Sequence, residues 1–305
     1  MDVLSDILRT LHLRAEVFLH ACFSGQWAVD TSGQKYSTFH MVVHGDCWLH
    51  LADETIPEQK AIPLSSGDLV VFPHDADHII SNSQEAVPDN FPRNQVPTKP
   101  VGDGPHVSLI CGYFEFDRHS WNPLLDAMPN MILIRGENKG NFSLIDNLGR
   151  FFAHEIDSEQ PGNQLLINKY SEVLFIHVVR HHINNSENTG FITGLADEQI
   201  GRALGIIHEK PGYAWSVERL ANAVGMSRSG FAERFNRLVE MPPMEYLTRW
   251  RMTQAYEAFS SSNLSVSVVA ERLGYQSEVA FAKVFKKHFG FGPGKLRKEF
   301  RTQSS

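Results

Sequence analysis

The sequence predicts an α+β protein: a small β-barrel or sandwich with helices after it, then an all-α C-terminal domain built on two copies of one motif. Three observations predict it. Short apolar runs ending in turn signals occupy residues 27–116, helical periodicity takes over from Phe142, and a repeat of about 50 residues fills the C-terminal part.

Runs such as Phe39–Val43 and Leu69–Phe72 are short, apolar and rich in valine. They end at His44-Gly45-Asp46 or follow Ser65-Ser66-Gly67-Asp68, as strands bounded by turns do. Strands of this length and spacing suit a small barrel or sandwich. Gln84–Pro105 holds five prolines and two glycines and reads as a long surface loop. Beyond Phe142, Leu144, Leu148, Phe151 and Phe152 share one helical face, and Leu166, Tyr170, Val173 and His177 share another, with Pro161-Gly162 between the two helices. Asn184–Gly194 is polar with two glycines and is expected to link the domains. The expected division is a body over 1–190, with helices at about 142–188, and a second domain over 198–303.

A chain of 305 residues accommodates about two domains. At 42% hydrophobic and 21% charged residues it has the composition of a soluble globular protein. No apolar run approaches the ~18 residues a membrane helix requires. Met1–His20 carries Asp2, Asp6 and Glu16 and lacks the basic and apolar regions of a secretory signal, so a cytoplasmic protein is expected. Three cysteines in a reducing compartment argue against a disulfide framework. The net charge of −7 is unevenly placed: residues 198–305 hold 16 Lys and Arg against 10 Asp and Glu, a net +6 that leaves −13 on residues 1–197. A basic domain on an acidic body is what a single phosphate-binding domain produces.

The repeat explains the basic half. Its first copy has Ala221, Gly225, Ser227, Phe231, Phe235 and Pro243; its second has Ala270, Gly274, Ser277, Phe281, Phe285 and Pro293, with one extra residue between Gly274 and Ser277. Ser216 and Ser265 are N-caps for a first short helix, Gly225 and Gly274 allow a tight turn, and Ser227 and Ser277 cap a second helix. That second helix buries Phe231, Phe235 and Leu238, or Phe281, Phe285 and Phe289, and leaves its opposite face exposed. Helix, glycine turn and capped helix is the helix-turn-helix pattern, here at about 216–239 and 265–289. Met244–Phe259, free of Gly and Pro, forms a long helix between the copies.

These stretches resemble the AraC/XylS family of transcription regulators, most specifically in Gly225–Phe231, Pro242–Leu247, Ala270–Glu278 and Phe285–Pro293. The resemblance covers about 200–300 and implies sequence-specific binding of double-stranded DNA. It implies base reading from Arg228, Ser229, Glu233 and Arg234 on one helix, and from Gln276, Ser277, Glu278, Val279 and Lys283 on the other. Arg suits guanine, Gln adenine, Glu the cytosine amine and Val the thymine methyl. Lys286, Lys287, Lys295, Arg297 and Lys298 are assigned to phosphates. It further implies a homodimer formed by the helices of about 142–188, a small-molecule or oxidant effector, and RNA polymerase as a partner of an activator. Activation and repression leave the same mark on a sequence.

The first half resembles the cupin-like domain that precedes many such modules. The match lies in Phe39–Gly45, Gly67–His78 and Leu109–Phe114. His78 occupies the place of a frequent metal ligand, but the His-x-His and Glu of the first cupin motif are missing, which argues against a metal-dependent cupin enzyme. His40, His78 and Cys111 fall on three strands that can point into one barrel, with Cys22, or alternatively Cys47, as a fourth ligand. Two imidazoles and two thiolates suit Zn²⁺. A thiolate of lowered pKa there would be open to oxidation, and the resemblance implies that Cys22 and Cys111 take part in such a response. The alternative is that the cysteines are small core residues and the histidines hydrogen-bonded core residues. A purely architectural DNA binder is the third reading, against which stand the varied polar side chains of the two second helices.

Overall fold

A computed structural model describes residues 2–51, 61–85, 87, 106–117, 121–136, 143–158, 160–185 and 190–303. Most of the Gln84–Pro105 loop and residues 186–189 of the expected linker lie outside them.

In chain order the first half contains α1 (Val3–Thr10), β1 (Arg14–Phe23), β2 (Ala28–Asp30), β3 (Ser37–His44), β4 (Asp46–Leu51), β5 (Ile62–Ser65), β6 (Leu69–Phe72), β7 (His78–Ser81) and β8 (Val107–Glu115). Then come α2 (Pro123–Asp126), β9 (Ile132–Ile134), α3 (Ser143–Ser158) and α4 (Asn163–Asn185). The remainder is helical: α5 (Gly190–Ala196), α6 (Glu198–Glu209), α7 (Val217–Ala223), α8 (Arg228–Val239), α9 (Pro243–Ser261), α10 (Val266–Arg272), α11 (Glu278–Phe289) and α12 (Pro293–Gln303). The chain forms two compact units that are not contiguous in sequence. One holds 13–115 and 128–185; the other gathers 1–12, 116–127 and 186–305.

The first unit is two facing sheets, ordered β1-β8-β3-β6-β9 and β2-β7-β4-β5. Side chains two apart along each strand build the core between them: Val42 from β3, Cys47 and Leu49 from β4, Val70 and Phe72 from β6, Leu109 and Cys111 from β8. The outer face of the larger sheet is also covered. Phe39 stacks on Phe114 at 4.8 Å between centroids, and Phe114 meets Phe175 of α4 at 5.0 Å. Strand β3 is therefore buried on both sides, which is why its sequence does not alternate. Helix α4 turns Ile167, Ser171, Leu174, Phe175, Val178 and Val179 inward. The stripe singled out in the sequence faces the other way: Leu166 is 43% and Val173 40% exposed.

The second unit contains the repeat. All four serine caps form: Ser216 accepts from the Arg219 amide, Ser227 from Gly230, Ser265 from Val268 and Ser277 from Ala280. Gly225 and Gly274 turn the chain with φ of 72° and 78°, a conformation that a Cβ penalises. In each lobe the capped helix buries its phenylalanines completely: Phe231 and Phe235 in α8, Phe281 and Phe285 in α11. Each such ring contributes roughly 1.5–3 kcal/mol by leaving water. Helix α9 runs between the lobes, offering Tyr246 to Phe235 of the first and Phe259 to Phe281 and Phe285 of the second. Part of the expected linker is instead α5, because Phe191 and Ile192 are buried against neighbouring helices.

Candidate functional site

Helix α8 presents a polar row opposite its buried rings. Arg228, Ser229, Glu233 and Arg237 are exposed. Arg234, expected in the same row, is turned aside. Its Nε donates to Asp197 Oδ2 at 3.1 Å and its Nη1 to Gln199 Oε1 at 3.0 Å. Asp197 is itself the N-cap of α6, accepting from the Gln199 and Ile200 amides. Burial would raise the Asp197 carboxyl, but the Ile200 amide, Arg234 and the Gln199 amide outweigh it and hold it below its usual value. Arg234 thus sets its charge against the Asp197 carboxylate and joins α8 to α6.

Helix α11 exposes Glu278, Val279 and Lys283, with Val279 80% exposed, and Gln276 is exposed in the turn just before it. An apolar side chain so exposed at the start of a helix loses free energy to water unless something covers it. Ser277 lies at the same end and its hydroxyl caps the helix. Lys286 and Lys287 are exposed in the last turn, where cations complement the helix dipole. Of the residues assigned to phosphate, Arg297 donates to the Asn263 carbonyl and Lys295 lies 5.6 Å over the Phe291 ring.

In the barrel, His40 of β3 and His78 of β7 come from opposite sheets with their Nε2 atoms 2.8 Å apart. The His78 Nδ1–H donates to the Ala76 carbonyl at 2.7 Å, so its Nε2 is the acceptor and the His40 Nε2–H the donor. Thr31 Oγ1 lies 3.2 Å from one Nε2 and 3.1 Å from the other. Phe72 stacks on His78 at 3.7 Å. His40 Nδ1 is buried with no hydrogen-bond partner among the described residues. Burial, then His78, holds His40 well below its usual 6.5.

Cys111 is the cross-strand partner of His40, and Cys47 is buried in the same core. Cys22 stands on β1 opposite Ser108 and is half-buried. Among the described residues no three His, Cys, Asp or Glu side chains converge as a metal-ligand set. The expected set of His40, His78, Cys111 and Cys22, with Cys47 as the alternate, is not assembled: only the two imidazoles meet. The two buried thiols are both shifted away from the thiolate. Burial, followed by Asp46 and Asp68, pushes Cys47 up to about 12, and burial raises Cys111 further.

A cavity that no sequence pattern announced lies beside Thr31, which touches both histidines. It measures about 380 Å³ and is lined by Phe18, Leu19, Val29, Tyr36, Thr38 and Tyr113, with Asp30, Thr31 and Gln34 as its polar side. Tyr36 and Tyr113 stack at 4.6 Å, and Tyr113 donates to Glu16 at 2.6 Å. That bond, with burial, pushes the phenol up to about 12, so it stays neutral at ordinary pH. The lining comes from three stretches of chain that are distant in sequence: 18–19, 29–38 and Tyr113.

Known proteins match both halves. The family model described as Cupin matches residues 2–184, and the one described as Helix-turn-helix domain matches 220–299. A putative AraC-like transcription regulator of Streptomyces antibioticus is 29% identical over 304 residues, covering 98% of this chain and 99% of the relative. The HTH-type transcriptional regulator AlkR of Acinetobacter baylyi is 31% identical over 315 residues, covering the whole of both chains. The chain belongs to the AraC family of transcription regulators, with an N-terminal cupin-like domain. This regulator is also 25% identical over 307 residues to the RCS-specific HTH-type transcriptional activator RclR of Escherichia coli, covering 99% of each chain. Among solved structures, the DNA-binding domain of AdpA in complex with a target DNA is 30% identical, with a TM-score of 0.33, covering 35% of this chain and 96% of that one. No helix of the described residues is long and apolar enough to cross a membrane.

Proposed function

We propose that this regulator reads a specific DNA sequence by lowering α8 and α11 into the major groove, and that a small apolar effector in the barrel cavity adjusts that binding. One observation carries the reading. Each capped helix commits its phenylalanines to the core and keeps a row of chemically distinct side chains in water: Arg228, Ser229 and Glu233 on one, Gln276, Glu278, Val279 and Lys283 on the other. Guanidinium, hydroxyl, carboxylate, amide, methyl and ammonium groups together match the different edges of the base pairs. A row selected only for affinity would be uniformly basic.

The test is selection of duplexes from a random library by the full chain. Recovery of one sequence bound at ~10⁻⁸ M in physiological salt is expected. Weak binding to all duplexes, lost evenly as salt rises, would refute the base-reading function and leave an architectural binder.

The cavity supports the effector half of the reading. Its volume and its largely apolar wall with a few polar groups on one side suit a drug-sized molecule. The aromatic pair favours a flat apolar portion, and Thr31 offers a hydroxyl to a polar end.

We also assign a second copy of the chain to the outward stripe on α3 and α4. Phe151 is 49% and Leu165 64% exposed there, beside Leu166 and Val173, and Phe151 stacks on Tyr170 at 5.5 Å. An apolar stripe of this kind is a recurrent homodimer surface. Sedimentation of wild type against Leu166→Glu tests it: a dimer that becomes a monomer is expected. Activation through RNA polymerase rests on the family resemblance alone, and run-off transcription from a promoter carrying the selected site decides between activation and repression.

A further inference from the structure

The loop between α6 and α7 belongs to the first lobe by sequence but is built against the second. It is tied to itself at both ends: Trp215 Nε1 donates to the Lys210 carbonyl at 2.9 Å, and the Arg219 guanidinium donates to the Ala214 carbonyl while lying 5.6 Å over the Tyr213 ring. From the middle of α9, Arg251 grips it. Its Nε donates to the Pro211 carbonyl at 2.7 Å and its Nη2 to the Tyr213 carbonyl at 2.9 Å. The same guanidinium lies 5.6 Å from the ring centroid of Tyr275, in the turn that leads into α11. Tyr275 in turn meets Phe281 of α11 edge-on at 5.3 Å.

The two backbones also touch. A Cβ on Gly212 would collide with the Arg272 carbonyl, and a Cβ on Gly274 with the Gly212 carbonyl. One loop of the first lobe is thus pressed against the glycine turn of the second, with a single arginine bonded to the loop and stacked on the turn. The contact adds a second connection between the lobes beside α9. On either side of that helix the backbone leaves the helical region, at the left-handed Glu240 that ends α8 and at the extended Ser262 that ends α9.

We propose that Arg251 is a positioning residue that fixes α11 relative to α8, so that this regulator accepts one spacing between the two base segments it reads. The proposal rests on the DNA-reading function above and adds a determinant that touches no base. Two major-groove segments on one face of B-DNA are separated by a full helical turn, so a base pair added between them moves the second segment along and around the duplex. A locked pair of helices cannot follow it; a pivoting pair can. Arginine suits the task because its planar fork reaches two carbonyls at once and stacks on a ring, whereas lysine offers one compact donor.

The experiment uses the full chain and the duplex that it selects from a random library. Footprinting locates the two read segments, and one to five base pairs are inserted between them. Wild type is expected to lose at least ~10-fold in affinity with the first insertions. Arg251→Ala is expected to bind the unaltered duplex more weakly and to lose no more than about threefold further with insertions, because its lobes follow the displaced segment. Arg251→Lys should fall between, and it carries the comparison should the alanine variant not fold. Gly274→Ala, with Arg251 intact, should also blunt the spacing preference by pushing the loop off the turn. If Arg251→Ala and Arg251→Lys keep the wild-type dependence on spacing, the lock is wrong while the DNA-reading function stands. If no duplex is selected at all, the DNA-reading function fails and the lock with it.

Discussion

His40 and His78 share one proton position across the barrel, Nε2 to Nε2 at 2.8 Å, and both are neutral. Burial lowers His78 even against the Ala76 carbonyl, Asp30, Asp75 and Asp77, which pull the other way. In the unfolded chain each imidazole titrates near 6.5; in the fold each titrates lower. The unfolded state therefore binds more protons as acidity rises. Stability is fully present above about pH 6.5 and is lost as pH falls below it, by ~1.4 kcal/mol per pH unit for each imidazole that stays neutral. Urea unfolding between pH 8 and 5 should follow this slope, and His40→Phe should make it shallower. An unchanged slope would mean that His40 is already charged in the fold.

The thiols invite a second prediction. With Cys47 at about 12, its thiolate fraction at pH 7 is on the order of 10⁻⁵, and Cys111 has still less. Mild alkylation of the native protein should label Cys22, which is half-buried, and leave Cys47 and Cys111 unmodified until the barrel opens. Zinc measured after purification without chelator should fall well below one per chain, and Cys111→Ser should leave it unchanged, because two imidazoles alone are a weak site. Near-stoichiometric zinc that Cys111→Ser abolishes would restore the four-ligand site.

Much of the fold was legible because it follows local rules. Ser216, Ser227, Ser265 and Ser277 each sit where a cap must sit, and the aromatic spacing of four residues leaves one helical solution. Strand β1 was hidden: Arg14, Glu16 and His20 interrupt its apolar residues, and a register shift between Val17 and Leu19 breaks the alternation. Helix α5 was hidden by its glycines, which packing of Phe191 and Ile192 overrides. The tie from Arg234 was not legible because the carboxylate it meets is 37 residues away in sequence. His40 and His78 do lie on separate strands, but the sequence could not show that they meet each other while Cys47 and Cys111 pack in the core.

The cavity should take up a neutral aromatic dye. N-phenyl-1-naphthylamine is expected to brighten on binding the full chain and to be displaced by an apolar effector. Phe18→Ala, which removes a half-exposed ring from the wall, should weaken the dye about fivefold, or ~1 kcal/mol. Val29→Trp should fill the space and abolish the signal. Dye fluorescence unaffected by Val29→Trp would place the dye elsewhere and remove the support for an effector in the barrel.

Arg228 and Arg234 lie on the same helix six residues apart and should fail in opposite ways. Arg228 is exposed at the first turn of α8, so Arg228→Ala should leave stability within about 0.5 kcal/mol. Its cost should appear in binding, ~1–3 kcal/mol at the selected duplex, with preference relaxed at one base position. Arg234 is bonded to Asp197 and Gln199, and its side chain is 39% exposed while that of Asp197 is 10% exposed. Solvent screens such a pair, so Arg234→Ala should cost about 1 kcal/mol of stability rather than the several expected of a buried one. It should weaken all duplexes alike, since losing the tie between α8 and α6 tilts the reading helix without deleting a base contact. Asp197→Asn keeps the cap on α6 but removes the charge that Arg234 answers, and it should reproduce the Arg234→Ala phenotype. A change of preferred base in Arg234→Ala, measured by repeating the duplex selection, would return Arg234 to the reading row.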